Sequence, residues 1–410
     1  MKAQSVRESN TTLVLKTILR SAEPISRATV ASQTGLTRAT VSRLVDDLRN
    51  LKILEELAPS PSVVGRPSLP LTAKPLSYFT IALELNVNYI TMLVIDLAGN
   101  VLHFVMENGD LRSSDPQKIL RHASNMLQEW TPPSGGTIIA TTLVIPGLIN
   151  QSDNTILVAP NLGWRNVNPS HFMDIPEAYG TLRVRNEADS AAFASIYSAP
   201  GRPGSQDTFL YLSSDVGVGS AIMLDGTLFG GKHFWAGEIG HTCVDPAGPR
   251  CTCGANGCLE QYVGQDALLS AANLTLDSPI NDLIDLFVAG DTVARKTLDQ
   301  AGTSLGRAIA NALNLLDIDL VILGGNLAHL LPHVEELLYS EVSYRMLVHA
   351  GRKPRSSPTL TVHVLLFWEH AMQALRILWQ TCRAGHNLSF CIILLKRRKV
   401  VPVRISKHCP

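Results

Sequence analysis

The residues best suited to bind a metal ion lie in one short stretch, GEIGHTCVDPAGPRCTCGANGCLEQY, at positions 237–262. This stretch contains His241, Cys251, Cys253 and Cys258, which offer one nitrogen and three sulfur atoms. Such a ligand set is typical of tetrahedral zinc, and a shell closed by four protein ligands leaves no position for a reacting water. The spacing therefore predicts a structural zinc site.

Two other states of these cysteines stay open, a pair of disulfides or free buried thiols. The sequence has no apolar N-terminal signal segment, so we expect a cytoplasmic protein whose clustered cysteines stay reduced and available to a metal. Cys243 is expected to be a packed thiol outside the zinc set, although it could compete as a ligand. We expect Gly248, Gly254 and Gly257 to let the loop fold back on itself.

The charged residues divide the chain into parts of opposite sign. Its 410 residues are too many for one compact core and predict two or three domains. Residues 1–75 hold 11 Lys or Arg and 6 Asp or Glu, whereas residues 76–365 hold 16 and 28. This division favours an anionic partner for the first part and a small neutral ligand for the second. No apolar run approaches the roughly 20 residues that span a bilayer, so we expect no membrane partner.

Residues 1–75 have the pattern of a winged helix-turn-helix domain. Ser26 is placed to cap a short helix that ends at Gly35, and Thr37 is placed to cap the next helix. That second helix is predicted to bury Val41, Leu44, Val45 and Leu48 and to turn Arg38, Thr40, Ser42 and Arg43 outward. A helix over residues 11–21 is predicted from the helical spacing of Leu13, Leu15, Ile18 and Leu19. The segment after the second helix is expected to form a two-stranded wing.

A helix-turn-helix places the start of its second helix in the major groove of double-stranded DNA. The predicted DNA-binding residues there are Thr37, Arg38, Thr40 and Arg43, with the two arginines contacting guanine or phosphate. Arg66, in the Gly-Arg-Pro unit of the wing, is predicted to fit a narrow A·T-rich minor groove. Because such modules commonly bind pseudo-palindromic operators, we expect a homodimer or a dimer of dimers.

From residue 78 onward, apolar strands alternate with helices and glycine-bearing loops, which predicts an α/β body. The stretch FTIALELNVNYITMLVIDLAGNVL is expected to form successive hairpins, with a turn at Gly99-Asn100. Five motifs follow one another in this body: APNLGW (159–164), NEADSAA (186–192), GVGSAIMLDGTLFGG (217–231), GEIGH (237–241) and CTCGANGCLE (251–260). Together they resemble the motifs of the ROK family of repressors, open reading frames and kinases.

The resemblance covers roughly residues 10–365, and its most specific element is the histidine followed by the three-cysteine loop. With a winged helix-turn-helix in front, the chain is similar to the sugar-responsive repressors of that family, of the xylose-repressor type. This implies a two-lobed, actin-like sugar-kinase fold over residues 76–365, with the sugar between the lobes. The sugar-binding residues that it implies are Gly147, through its backbone, and Asn161, Asn186, Glu187, Glu238, His241 and Glu260. His241 would give one ring nitrogen to zinc and the other to a sugar hydroxyl.

Three departures from the family pattern argue against kinase activity. The family's Asp-x-Gly-x-Thr phosphate loop is replaced by residues 84–88, where Glu84 stands first and Asn86 replaces the glycine. The family's catalytic Asp is Glu187, whose extra methylene displaces the carboxylate. Asp215 stands at the entry of the second phosphate loop, where its charge would repel ATP. The sequence thus predicts a DNA-binding repressor that senses a small sugar or sugar phosphate.

Two other functions stay open at this stage. One is an active ATP-dependent sugar kinase with a DNA-binding arm, and the other is a zinc-braced dimerisation platform without a ligand. The C-terminal tail does not fit the family. Residues 366–410 hold eight Lys or Arg and one acidic residue, Glu369, which indicates either an ending replaced by a frame change or a divergent extension.

Overall fold

The computed structural model describes residues 2–58, 69–199, 202–204, 206–347 and 361–364. Arg66 and the tail at 366–410 therefore lie outside the described residues. The helices are α1 (Lys2–Arg20), α2 (Arg27–Thr34), α3 (Arg38–Asn50), α4 (Pro116–Glu129), α5 (Glu187–Ser195), α6 (Glu260–Val263), α7 (Gln265–Ala271), α8 (Ile280–Val288), α9 (Thr292–Leu316) and α10 (Asn326–Arg345).

The strands form five sheets. They are β1 (Leu54–Glu56), β2 (Leu71–Ala73), β3 (Tyr78–Leu85), β4 (Tyr89–Asp96), β5 (Val101–Asn108), β6 (Thr137–Ile145), β7 (Leu148–Asn150), β8 (Thr155–Ala159), β9 (Trp164–Val167), β10 (Thr181–Asn186), β11 (Tyr197–Ala199), β12 (Arg202–Pro203), β13 (Phe209–Ser214), β14 (Val218–Leu224), β15 (Thr227–Leu228), β16 (Leu320–Gly325) and β17 (Thr361–Val364).

The helices α1–α3 and the antiparallel pair β1–β2 form a compact head with the predicted winged helix-turn-helix order. The backbone N–H of Thr29 donates to Ser26 Oγ at 3.1 Å, and that of Thr40 donates to Thr37 Oγ1 at 3.2 Å. Gly35 ends α2 in the left-handed conformation, with φ 71°. Both predicted N-caps and the glycine turn are therefore confirmed, as is the predicted buried stripe of α3.

Of the four apolar residues predicted at helical spacing in the first helix, Leu15, Ile18 and Leu19 face the core of the head and Leu13 does not. Val14 is completely buried, whereas Leu13 is 41% exposed. The helix α1 begins at Lys2, well before the predicted start, and its inner face is formed by Val14, Leu15 and Ile18. Three consecutive apolar residues at positions 13–15 leave the helical phase undetermined, and contact with α2 and α3 decides it.

The body consists of two lobes whose sheets have the same topology. The first sheet has the order β10-β6-β3-β4-β5, and the second has the order β15-β14-β13-β16-β17. In each sheet the first strand of the lobe, β3 or β13, pairs antiparallel with the next strand and parallel with a later one. This repeated arrangement confirms the predicted two-lobed, sugar-kinase-like α/β fold. The predicted hairpins of β3, β4 and β5 are also confirmed.

The head packs directly on the first lobe and shares a hydrophobic core with it. On β4, Met92 and Val94 belong to the core beneath α4, whereas Leu93 and Ile95 belong to the core of the head. This division follows from the two-residue period of a strand, which turns successive side chains to opposite faces. The fully buried Leu44 of α3 lies in the same core as Leu93.

A polar contact reinforces this junction, because Tyr78 Oη on β3 donates to the carbonyl of Leu51 in the head at 2.7 Å. The predicted boundary at residue 75 falls in the short turn between β2 and β3, and as a domain boundary it stays a prediction. In the described part of the chain, no helix has the length and apolar character needed to cross a membrane.

Candidate metal centre and interlobe cleft

The predicted metal ligands converge on one point of the second lobe. His241 ends a short 3-10 turn, Ile239–His241, and its ligand atom and those of Cys251, Cys253 and Cys258 all lie within 4.8 Å of one another. His241 Nδ1 is 3.7 Å from Cys251 Sγ, and Cys253 Sγ is 3.6 Å from Cys258 Sγ. A tetrahedral shell with Zn–S bonds of about 2.3 Å requires ligand atoms roughly 3.8 Å apart. The cluster therefore has the dimensions of a zinc site.

The chemistry of the donor set also fits a bound cation. All four described cysteines of the body are free, so the disulfide alternative does not apply to them. Burial and the neighbouring thiols raise the pKa of Cys258 to about 12. A thiol with so high a pKa keeps its proton unless a cation compensates the thiolate charge. A metal ion is the group that would let three thiolates share this space.

The loop that carries the cysteines folds back through a glycine. Gly257 has φ 64°, and a Cβ there would overlap the carbonyl of Asp245. The carbonyl of Gly257 accepts hydrogen bonds from the N–H groups of Val244 and Asp245 at 2.8 and 3.4 Å. The expectation that Cys243 is a packed thiol is wrong, because its side chain is exposed. Cys243 also lies outside the group of four clustered ligands.

A cavity of about 330 Å³ lies between the lobes, next to the metal centre. Its size is within the usual range for small-molecule sites, about 300–1,000 Å³. All the residues implied as sugar ligands line it, namely Gly147, Asn161, Asn186, Glu187, Glu238, His241 and Glu260. The fold thus brings together side chains from β8–β9, β10–α5 and the metal loop. Whether each of them contacts a sugar stays a prediction.

Asn186 is fixed on the first-lobe side of the cavity. Its Oδ1 accepts the N–H of Asp189 at 3.1 Å and so caps α5, while its Nδ2 donates to the carbonyl of Gly147 at 3.0 Å. A Cβ at Gly147 would clash with the carbonyl of Val158, so only glycine allows this close approach. The two residues therefore form a single preorganised wall of the cavity.

Glu260 and Asn161 meet on the opposite wall, over Gly217. Glu260 Oε2 accepts the N–H of Val218 at 3.2 Å. A Cβ at Gly217 would lie 2.6 Å from Asn161 Nδ2 and 2.8 Å from Glu260 Oε2. The glycine of the predicted second phosphate loop therefore makes room for polar side chains of the sugar pocket. His241 directs Nδ1 towards the cysteines, which leaves Nε2 for the cavity.

The two loops that correspond to phosphate loops touch each other across the cleft. Asn86 Nδ2 donates to Asp215 Oδ2 at 3.4 Å. Val216, in the turn between β13 and β14, is buried in the hydrophobic core of the first lobe. Tyr89 Oη donates to Glu84 Oε1 at 3.0 Å, and burial together with three nearby carboxylates raises the Tyr89 pKa well above its ordinary value. A direct interlobe contact thus occupies the space between the loops.

Sequence reasoning missed Val216, which lines the cleft, and Asp189, which is buried beside it. Burial of Val216 in the other lobe depends on how the lobes meet, and no local pattern indicates it. Asp189 is the last residue of the Asn-Glu-Ala-Asp motif and is nine-tenths buried. Burial and the charge of Glu238 raise the Asp189 pKa to about 7, although Arg185 acts in the opposite direction. An acidic residue in the first turn of a buried helix was the available signal.

Replacement of Asp189 by asparagine is expected to change how stability depends on pH. The folded protein holds this proton up to a higher pH than an unfolded chain, whose aspartate pKa is about 3.9. Ionisation of Asp189 in the unfolded chain therefore destabilises the fold progressively between about pH 4 and about pH 7, and the loss is constant above pH 7. We compare the unfolding free energy of Asp189→Asn with that of the wild type at pH 5.5 and at pH 8.5. The difference in favour of the variant is expected to be about 2 kcal/mol larger at pH 8.5 than at pH 5.5. Urea titrations at both pH values measure this, and a difference independent of pH would contradict it.

Four of the five candidate DNA-binding residues lie together at the start of α3, and the fifth, Arg66, lies outside the described residues. Arg38 and Arg43 are exposed on α3, and neither carries an ion pair among the described residues. Thr37 caps the helix, and its hydroxyl shares a hydrogen bond of 2.8 Å with that of Thr40. Arg27, which sequence reasoning missed, binds Asp46 of α3 at 2.6 Å and Glu56 of the wing at 2.9 Å. This ion-pair network fixes α3 against the wing and leaves the two arginines available to an anion.

Comparison with known proteins agrees with this geometry. The sequence profile of the ROK family matches residues 80–359, which include both lobes and the metal loop. The chain belongs to the ROK family. Similar characterised proteins include the xylose repressor of Bacillus subtilis, 29% identical over 360 residues that cover 86% of this chain and 91% of the repressor. The N-acetylglucosamine repressor of Escherichia coli O157:H7 is 25% identical over 338 residues, 78% of this chain and 82% of that protein.

Solved structures of similar fold include both regulators and kinases of this family. A ROK family transcriptional regulator, a homologue of the E. coli MLC protein, has a TM-score of 0.67 at 22% identity and covers 83% of this chain and 89% of its own. The ROK hexokinase of Thermus thermophilus has a TM-score of 0.57 at 23% identity and covers 73% of this chain and 97% of its own. At these identities the likeness concerns the fold.

Proposed function

We propose that this ROK family protein is a cytoplasmic, DNA-binding transcriptional repressor whose degenerate kinase body senses a sugar. The observation that carries the proposal is the cleft itself. Seven polar or backbone groups suited to sugar hydroxyls line one cavity, while the two phosphate loops are joined through Asn86 and Asp215. The repressor names of its relatives and the exposed arginines on α3 support the same function.

In this proposal zinc is bound by His241, Cys251, Cys253 and Cys258 and has a structural role. A bound zinc ion fixes the tautomer and orientation of its histidine ligand. His241 Nε2 would then face the cavity in one orientation and hydrogen bond with a sugar hydroxyl. Glu238 and Glu260, on either side of the same loop, would accept hydrogen bonds from neighbouring hydroxyls.

Control of DNA binding would follow from linkage between two arrangements of the lobes. A sugar that binds one arrangement more tightly shifts the population towards it, and a coupling of about 1–3 kcal/mol is typical. Because the head shares a hydrophobic core with the first lobe, a movement of that lobe would carry the head with it. In a dimer such a movement would change the spacing of the two recognition helices on a pseudo-palindromic operator.

The DNA-binding part of the proposal is tested with Arg38→Ala and Arg43→Ala. Each substitution is expected to weaken operator binding by about 1–3 kcal/mol if the arginine contacts a base. Fluorescence anisotropy with operator DNA at fixed salt measures the affinity. Arg49→Ala on the same helix is the charge-matched control, because Arg49 pairs with Asp46 and Glu56. Operator affinity that neither Arg38→Ala nor Arg43→Ala weakens more than the Arg49→Ala control does would place the DNA elsewhere.

The alternative function, an active sugar kinase with a DNA-binding arm, is tested by ADP release. Phosphoryl transfer requires loops that hold phosphates and Mg²⁺ in line with the sugar. Because Asn86 and Asp215 occupy that position, we expect no Mg²⁺-dependent ADP release above background with pentoses, hexoses or amino sugars. Robust turnover with any of them would replace the repressor proposal by the kinase.

A further inference from the structure

The charges that line the cleft are strongly unbalanced. The lining carries four carboxylates, those of Glu187, Asp215, Glu238 and Glu260. Arg165 is the only Lys or Arg among the described lining residues, and its side chain is largely exposed. A ligand in this cavity therefore meets negative charge on both walls.

The negative charge is densest at the end where a phosphate would lie. Glu187 begins α5, Asp215 lies in the turn after β13, and the charges of both act on Tyr89 together with that of Glu84. Glu84 is 2% exposed, so its carboxylate is screened little by solvent. These three carboxylates come from β3, from α5 and from the turn after β13, and the charge of each acts on Tyr89.

The turn that carries Asp215 is fixed by contacts with the first lobe. Asp215 is bound by Asn86 of the other lobe, and the next residue, Val216, is buried in the first lobe's core. Withdrawal of Asp215 to admit an anion would expose Val216 to water. The carboxylate of Asp215 is therefore held in a fixed position at the interface between the lobes.

The backbone does not offset this charge. A helix N-terminus ordinarily attracts anions, but in the first turn of α5 the N–H of Asp189 already donates to Asn186 Oδ1. The first turn of α5 also contains Glu187, whose carboxylate adds negative charge from the protein itself. The cleft thus lacks, among its described residues, the cationic lining that a phosphate ester requires.

We infer that the effector is an unphosphorylated sugar and that Asp215 is a residue that excludes its phosphate ester. This inference rests on the proposed sugar-sensing function and narrows it. A neutral sugar satisfies the hydrogen-bonding groups of the pocket without adding charge. A phosphate ester brings close to two negative charges towards Glu187 and Asp215. Because these carboxylates cannot move away, they repel the ester and make the pocket select the neutral sugar.

Calorimetry with matched ligand pairs on the zinc-loaded full-length protein tests this inference. The pairs are xylose and xylose 5-phosphate, glucose and glucose 6-phosphate, and N-acetylglucosamine and its 6-phosphate. We expect at least one neutral sugar to bind and its ester to bind at least about tenfold more weakly. An ester that binds as tightly as its sugar overturns the inference and leaves sugar sensing intact. If neither member of any pair binds, the proposed function fails and the inference with it.

The role of Asp215 is tested separately with Asp215→Asn, which keeps the shape of the side chain and removes its charge. We expect the ratio of ester affinity to sugar affinity to rise at least about fivefold. Asp225→Asn, an exposed change at the opposite end of β14, is the matched control and should leave the ratio unchanged. Thermal unfolding of both variants verifies that they fold. An unchanged ratio in a folded Asp215→Asn protein overturns the assignment.

Discussion

Replacement of Cys258 by serine is expected to abolish zinc binding and, with it, sugar binding. Cys258 is completely buried, and its Sγ lies 3.6 Å from that of Cys253. Loss of one of four ligands removes a buried thiolate that serine does not replace. Since metal ligation and loop folding are coupled, we expect zinc affinity and sugar affinity each to fall by at least about 100-fold. Metal analysis of the purified protein and calorimetry with the sugar measure the two effects.

The control for this prediction is Cys243→Ser in the same loop. Cys243 is exposed and lies outside the ligand cluster, so zinc content and sugar affinity should stay at the wild-type level. Extraction of zinc from the wild-type protein with a chelator should reproduce the loss of sugar binding. A Cys258→Ser protein that lacks zinc and binds sugar normally would contradict the bracing role of the metal.

The second large effect is expected at the junction of head and body, with Leu93→Ala. Leu93 is 1% exposed and lies on β4, a strand of the body, yet its side chain packs in the core of the head. Truncation of a buried leucine destabilises a protein by about 2–5 kcal/mol. We expect much of this loss to appear as faster hydrogen exchange in α1 and α3 and as weaker operator binding.

The matched control is Met92→Ala, one residue earlier on the same strand. Met92 is completely buried but belongs to the opposite core, beneath α4. The Met92→Ala variant should lose a similar amount of unfolding free energy. It should increase hydrogen exchange in α4 more than in α1 and α3. Equal exchange of the head in both variants would show that the head folds independently of the first lobe.

The parts of this structure that sequence reasoning predicted well are those with local causes. The caps Ser26 and Thr37 depend on bonds to residues three positions away, and the metal ligands lie within an 18-residue stretch. Such features follow from residue type and spacing. The sugar-side residues, spread from Gly147 to Glu260, came only from a family resemblance, because spacing alone does not bring distant loops together.

The features that sequence reasoning missed depend on contacts between distant parts of the chain. Val216 is an ordinary turn residue in sequence, and its burial arises only where the lobes meet. The exposure of Leu13 and the burial of Val14 depend on the direction in which α1 lies against the head. The exposed position of Cys243 likewise depends on how the metal loop closes.

The central claim is that a zinc-braced sugar cleft controls the affinity of the head for DNA. The measurement that tests it most directly is the operator dissociation constant, determined by anisotropy at fixed salt across a panel of neutral sugars at saturating concentration. The account predicts that at least one sugar changes this constant by about 5–150-fold, corresponding to a coupling of about 1–3 kcal/mol. It also predicts that the Cys258→Ser protein loses this response. An operator affinity that no sugar changes in the zinc-loaded protein would contradict the account.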